Sequence, residues 1–160
     1  MFVLFRTLTY ATLFIALLLV FVPQQILASA GILWPVRIGF QQILGALLLI
    51  GGAVLALACV FTFAFIGRGT PAPFDAPRNL VVAGPYRWVR NPMYIGAGLA
   101  LLGAAVFYGS IGLVLYTVVF WSMAHLFVLF YEEPVLRRKF GADYHAYTAT
   151  RRRWIPRWRF

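Results

Sequence analysis

NPMYIGAGLALLGAAVFYGSIGLVLYTVVFWSMAHLFVLFYEEP, residues 91–134, decides the fold. From Asn91 to Tyr131 there is no Asp, Glu, Lys or Arg, and the run is then closed by Glu132, Glu133 and Pro134. A helix needs about 20 apolar residues, each rising ~1.5 Å, to cross the hydrocarbon core of a bilayer. The stretch is long enough for two such helices, and Tyr108-Gly109-Ser110 supplies a turn between them. Two more stretches of the same kind lie upstream, Thr7 to Val36 and Ile38 to Gly67. The pattern predicts an all-α integral membrane bundle of about four transmembrane helices, at residues 5–26, 39–66, 93–107 and 111–131.

Composition agrees with that pattern. Of 160 residues, 62% are hydrophobic and 11% charged, whereas charged residues approach roughly a quarter of a soluble domain. The net charge of +10 raises the question of nucleic acid, but the distribution of the charges points elsewhere. With both termini cytoplasmic, Arg6, Arg68, Arg78, Arg87, Arg90 and the eight basic residues from Arg137 onward lie inside, and only Arg37 lies outside. This is the positive-inside bias of a multi-pass membrane protein, and the same charges suit an anionic lipid surface. Leu27-Ala28-Ser29-Ala30 is a weak match to a signal-peptide cleavage site, so the first span reads as retained. The single cysteine, Cys59, lies within the second span and reads as a small buried apolar residue.

The chain reads as one domain, residues 1–160, with two unlike parts. Residues 1–66 form a two-helix scaffold, in which Gly45, Gly51 and Gly52 allow a neighbouring helix to approach closely. Residues 67–160 carry the polar chemistry. Pro71, Pro73, Pro77, Pro85 and Pro92 exclude a continuous helix between residues 67 and 92. A connection of that length in a compact protein is commonly functional. Beyond Pro134, Val135, Leu136, Phe140, Tyr144 and Tyr147 recur at helical spacing with basic residues between them, which predicts an amphipathic interfacial segment. The tail mixes Arg with Trp154 and Trp158, a composition that anchors at headgroups.

Acidic residues are scarce: Asp75, Glu132, Glu133 and Asp143. The adjacent pair Glu132 and Glu133 ends the last span. Either it is solvated or paired with Arg137, which lies at i+4 from Glu133, or it holds a cationic ligand in a partly dehydrated site. Asn91 and Pro92 read either as a helix cap and first-turn residue or as part of a binding site. His125, seven residues before Glu132, is either hydrogen-bonded inside the bundle or catalytic. No His/Cys cluster suggests a metal, and no glycine-rich phosphate loop is present.

Gly84-Pro85-Tyr86-Arg87-Trp88-Val89-Arg90-Asn91-Pro92-Met93-Tyr94-Ile95-Gly96, then Glu132-Glu133-Pro134-Val135-Leu136, then Phe140-Gly141-Ala142-Asp143-Tyr144-His145-Ala146-Tyr147 resemble the isoprenylcysteine carboxyl methyltransferase and phospholipid methyltransferase superfamily. The resemblance covers about residues 67–157. It implies an S-adenosylmethionine-dependent methyltransferase that acts on a lipophilic or lipid-linked acceptor at the cytoplasmic face and releases S-adenosylhomocysteine. Carried over position by position, the cofactor contacts fall on Arg78, Asn79, Leu80, Val81, Tyr86, Asn91, Pro92, Met93, Tyr94 and Glu132, with Glu133 adjoining. Gly67 and Gly69 resemble a Gly-x-Gly element of the phospholipid branch. His125, Glu132 and Glu133 are the candidates for a catalytic base. The acceptor is either a phospholipid amine or an isoprenoid-type carboxylate. Asn91 stands where the prenylcysteine branch has His, and Val128 stands where its eukaryotic members have a substrate-binding Arg, so the wording lies nearer the phospholipid branch. The rival class is a non-enzymatic membrane protein, a small transporter or an interaction scaffold.

Overall fold

The computed structural model describes residues 13, 15–32, 34–35, 37–67 and 79–156, and among these the chain is helical with no strand. Helix α1, Ala16–Ser29, opens with a π-helical stretch and has Pro23 in the first turn of its regular part. The expected first span, 5–26, begins in residues outside those described. Helix α2, Phe40–Gly67, is 28 residues long and ends in a π-helical turn. Helix α3, Pro92–Tyr108, and helix α4, Ile111–Phe127, are joined by Gly109 and Ser110. Gly109 adopts φ 61°, a left-handed conformation that a glycine takes without strain, and the Ser110 hydroxyl caps α4 by accepting from the Leu113 N–H at 3.3 Å. The expected turn at residues 108–110 is therefore formed.

The amphipathic segment expected beyond Pro134 is helical and continuous with the last apolar helix: a π-helical turn, Val128–Glu132, leads directly into helix α5, Glu133–Thr150. Pro134 sits in the first turn of α5, where it disturbs least, and the wider π turn just before it absorbs the backbone hydrogen bond that a proline withholds. The resulting helix, Ile111–Thr150, has 40 residues. At ~1.5 Å per residue it measures about 60 Å, twice the hydrocarbon thickness of a bilayer. Its apolar part ends at Tyr131, and α5 carries the charges of Arg137, Arg138, Lys139 and Asp143. Gly141, at φ 47° and ψ −117°, kinks α5.

Among the described residues, Phe40–Gly67 and Ile111–Thr150 are the two helices long and apolar enough to cross a membrane, and Ala16–Ser29 and Pro92–Tyr108 are shorter apolar helices. Their outward faces are apolar: Phe40, Leu47, Val54, Phe61 and Phe65 on α2, and Ile111, Leu115, Val118 and Met123 on α4, are all exposed. A helix that is apolar all round belongs in a core or in lipid. The inward faces pack through small residues. A Cβ on Gly96 would fall 2.7 Å from both Ala56 N and Gly52 O, and one on Gly45 would fall 2.5 Å from Phe107 N. Gly52 and Gly103 meet the opposite backbone in the same way, so α2 and α3 are in contact at the level of the main chain. Gly51, grouped by sequence with Gly45 and Gly52, faces open space. Across the other side of α3, Ala97 and Leu101 pack with Phe120 of α4, and the Tyr116 hydroxyl donates to Leu18 O of α1 at 3.0 Å.

Candidate functional site

The site is built where the C-terminal end of α2, the segment before α3 and helix α5 meet. The Asn79 N–H donates to Gly67 O at 3.3 Å. After this, Gly84 at φ 57° turns the chain into a 3-10 helix, Gly84–Arg87. That turn drives Tyr86 inward against Cys59 and Val81, with Phe63 edge-on at 5.1 Å and Met93 alongside. The Tyr147 hydroxyl of α5 donates to Tyr86 O at 2.7 Å and fixes the turn from the far side. Burial, with smaller contributions from Cys59, Glu132 and Tyr94, pushes the Tyr86 phenol well above its ordinary value, so this ring is a neutral wall.

A small cavity opens between these elements. Phe63, Leu80, Val81 and Tyr86 form its apolar side, and Arg90, Asn91, Glu132 and Glu133 its polar side. Leu136, Tyr144 and Tyr147 of α5 complete the lining. An apolar wall facing a few convergent polar groups is the usual form of a small-molecule site.

The two adjacent glutamates differ sharply. Glu133 is buried and saturated with cations: Arg153 Nε donates to Oε1 at 2.6 Å and Arg153 Nη2 to Oε2 at 3.0 Å, while Arg90 Nη1 lies 3.0 Å from Oε1. Arg137, expected from the i+4 spacing to be its partner, is the most distant of the three at 3.8 Å. Burial works to raise the Glu133 carboxyl, but the Arg153 hydrogen bond and the charges of Arg90, Arg153 and Arg137 outweigh it and hold it below its ordinary value. The same hydrogen bond raises Arg153. Glu132 is half-buried and accepts from the Tyr94 hydroxyl at 3.1 Å, and among the described residues no basic side chain pairs with it. Arg90 also lines the cavity: its Nη1 is taken by the Glu133 ion pair, while its Nε is buried and makes no hydrogen bond among the described residues.

Asn91 does not cap α3 through its side chain. It is buried, and both its backbone N–H and its Nδ2 donate to Arg153 O at 3.3 Å, while the Arg90 N–H donates to Arg152 O at 3.0 Å. Of the two readings open for Asn91, the side-chain cap is not formed; Asn91 instead joins the start of α3 to the tail. Pro92 follows as the buried first helical residue. His125 stands outside the cavity lining. Its Nδ1 accepts from Trp154 Nε1–H at 3.1 Å. Because an indole nitrogen can only donate, this bond leaves the neutral imidazole with its proton on Nε2 and no free lone pair.

Of the sequence-expected residues, Leu80, Val81, Tyr86, Asn91, Glu132 and Glu133 line the cavity, and Tyr94 reaches it through Glu132. Met93 supports Tyr86 and Val81 from behind, and Gly67 and Asn79 are joined by their backbone hydrogen bond. Gly69 and Arg78 lie outside the described residues. Arg90, Arg153, Trp154, Tyr144 and Tyr147 were not singled out as site residues. The signal for Tyr144 and Tyr147 was present in the apolar spacing of α5, but Arg153 and Trp154 read as part of a headgroup anchor.

A family model described as Phospholipid methyltransferase matches residues 40–143, about two thirds of the chain. No curated protein and no solved structure matches. The matched residues run from the first residue of α2 into the middle of α5 and so include both glutamates and the whole connection, while the Arg153 tail lies past their end.

Proposed function

The chain belongs to the phospholipid methyltransferase family, and from that premise we propose that it is an integral membrane enzyme, with four spans, that methylates a lipid-type acceptor from S-adenosylmethionine at the cytoplasmic face. The observation that carries this reading is Glu132, a carboxylate in a largely apolar cavity with no cationic partner among the described residues. An unpaired charge in such a place is costly, and a cationic ligand removes the cost. The donor set fits the cofactor in a second respect: the Arg90 Nε, which makes no hydrogen bond among the described residues, suits its carboxylate, and the Leu80, Val81 and Tyr86 side suits an aromatic ring. Asn91 lines the same space, Met93 packs behind Tyr86 and Tyr94 holds Glu132; from the family resemblance, Gly67, Gly69, Arg78 and Asn79 are assigned further contacts with the donor.

When bound, S-adenosylmethionine supplies an electrophilic methyl group on a sulfonium and leaves as S-adenosylhomocysteine. The chain's own residues then have three tasks. Glu132, held by Tyr94, opposes the positive charge and fixes its position. The apolar wall of Phe63, Val81 and Tyr86 keeps water from the reacting atoms. The third task would be to hold the acceptor in reach of the methyl group, since positioning is a large part of the rate of an in-line displacement. We assign the acceptor as a phospholipid amine. A carboxylate acceptor calls for a cation, and at the position where that cation would stand Val128 is apolar and fully buried. An amine must shed a proton before it attacks, and Glu132 is better placed to accept it than His125, whose lone pair is engaged by Trp154.

The test is transfer of labelled methyl from S-adenosylmethionine to lipid by the purified protein in vesicles containing phosphatidylethanolamine. Label in the amine headgroup is the expected result. Binding of the donor with label only in a prenylated carboxylate would overturn the acceptor assignment, and no donor binding at all would overturn the enzyme.

A further inference from the structure

Residues 151–156 leave α5 and cross back over the start of α3, past the end of the family match at residue 143. They are fixed there by contacts of three kinds. The carbonyls of Arg152 and Arg153 accept from Arg90 N–H and from Asn91 N–H and Nδ2. The Arg153 guanidinium grips Glu133 through two hydrogen bonds. Beyond it, Trp154 lies edge-on to Trp121 at 5.1 Å and to Tyr94 at 6.5 Å, and donates to His125. A headgroup anchor would point its Trp outward, whereas Trp154 is half-buried against α3 and α4.

Tyr94 matters in this arrangement because its hydroxyl is the hydrogen-bond donor seen on Glu132. Its ring is held between the packing of α3 against α4 and the edge of Trp154. Removing the Trp154 ring leaves one side of Tyr94 unsupported, and a phenol that swings by about an ångström no longer holds a 3.1 Å hydrogen bond. We propose that the C-terminal strap, residues 151–156, is a working part of the donor site, in which Trp154 is a positioning residue that acts on Glu132 through Tyr94 and Arg153 is the anchor that seats it. The proposal rests on the donor-binding reading of Glu132 given above.

The experiment is a double-mutant cycle read by calorimetric binding of S-adenosylmethionine and S-adenosylhomocysteine to the full chain in detergent. Trp154→Ala is expected to weaken binding of S-adenosylmethionine at least tenfold, while Trp154→Phe, which keeps a ring against Tyr94 but cannot donate to His125, stays within about threefold of the parent. In a Tyr94→Phe background, which has already lost the hydroxyl on Glu132, Trp154→Ala should cost less than twofold, because the two changes break one chain of contacts. A purely structural tail gives a different pattern: the same fold loss in both backgrounds, or no loss in the protein that remains folded. Either overturns the proposal. If Trp154→Ala does not fold, Trp154→Leu keeps the apolar bulk without the ring and is read in the same cycle. A parent that binds neither ligand refutes the donor site itself, whereas a parent that binds and a Trp154→Ala that binds equally refutes the strap alone.

Discussion

Glu133→Gln removes a charge from the best-connected carboxylate in the protein, and the geometry sets the size of the effect. The side chain is 5% exposed and receives two Arg153 hydrogen bonds, at 2.6 and 3.0 Å, with Arg90 at 3.0 Å. A glutamine keeps one acceptor oxygen and turns an N–H toward the other guanidinium nitrogen, so one charge-assisted bond weakens and another becomes a repulsion. Breaking a buried ion pair from one side costs about 3–5 kcal/mol. Arg90 is 12% exposed and Arg153 30%, so water takes up part of the abandoned charge and the cost falls at the lower end, about 3 kcal/mol. For a chain of this length that corresponds to a fall in melting temperature of roughly 6–12 °C. This is far more than the ~0–1 kcal/mol of an exposed pair with Arg137, the partner expected from spacing. Thermal unfolding of the parent and Glu133→Gln in one detergent measures it. A variant that melts within 2 °C of the parent would show that the three arginines contribute no net stability, and the reasoning would fail.

The same ion-pair cluster sets a pH dependence. The folded Glu133 carboxyl lies below its ordinary 4.5, so its contribution is fully present above about pH 4.5 and is lost as the pH falls through the lowered value. The melting gap between parent and Glu133→Gln should accordingly close on acidification, and a gap that widens would contradict the pairing. In the scaffold, Gly96→Val places a side chain against the α2 backbone and should destabilise by about 1–3 kcal/mol or more, whereas Gly51→Ala meets open space and should be neutral or stabilising by up to about 1 kcal/mol. Equal melting temperatures for these two variants would mean that α2 and α3 do not touch at Gly96.

Much of this architecture was legible because apolar length and glycine placement act locally. The run from Asn91 to Tyr131, the turn at Gly109 and Ser110, and the close approach at Gly45 and Gly52 each follow from a few neighbouring residues. The partners of those glycines, Gly96 and Gly103, required knowing which helices face each other. At the site, Glu132 was conspicuous by residue type, as a rare carboxylate in so apolar a chain, whereas Tyr86, Leu80 and Val81 were named as site candidates only through the family resemblance. Residue types did not suffice for Glu133, whose helix neighbour Arg137 was the obvious partner, because its closest cations come from Arg90 and Arg153, 43 and 20 residues away in sequence. Arg153 and Trp154 were misread for the same reason: a cationic, aromatic tail looks alike whether it lies on a membrane or folds back over the protein. His125 was left open between structure and catalysis, and only the Trp154 contact shows that its lone pair is taken.

The most direct test of the donor site is the affinity of Glu132→Gln for S-adenosylmethionine, measured with its melting temperature. Glutamine keeps the size of the side chain and an acceptor for the Tyr94 hydroxyl, and no ion pair is broken among the described residues, so the fold should melt within about 2 °C of the parent. Loss of one charge-assisted contact to the donor costs about 1.5–3 kcal/mol, which is roughly a tenfold to more than a hundredfold rise in Kd. A stable variant that binds at least tenfold more weakly is the expected result. A stable Glu132→Gln that binds S-adenosylmethionine as tightly as the parent would contradict the central claim that this carboxylate holds the cationic donor.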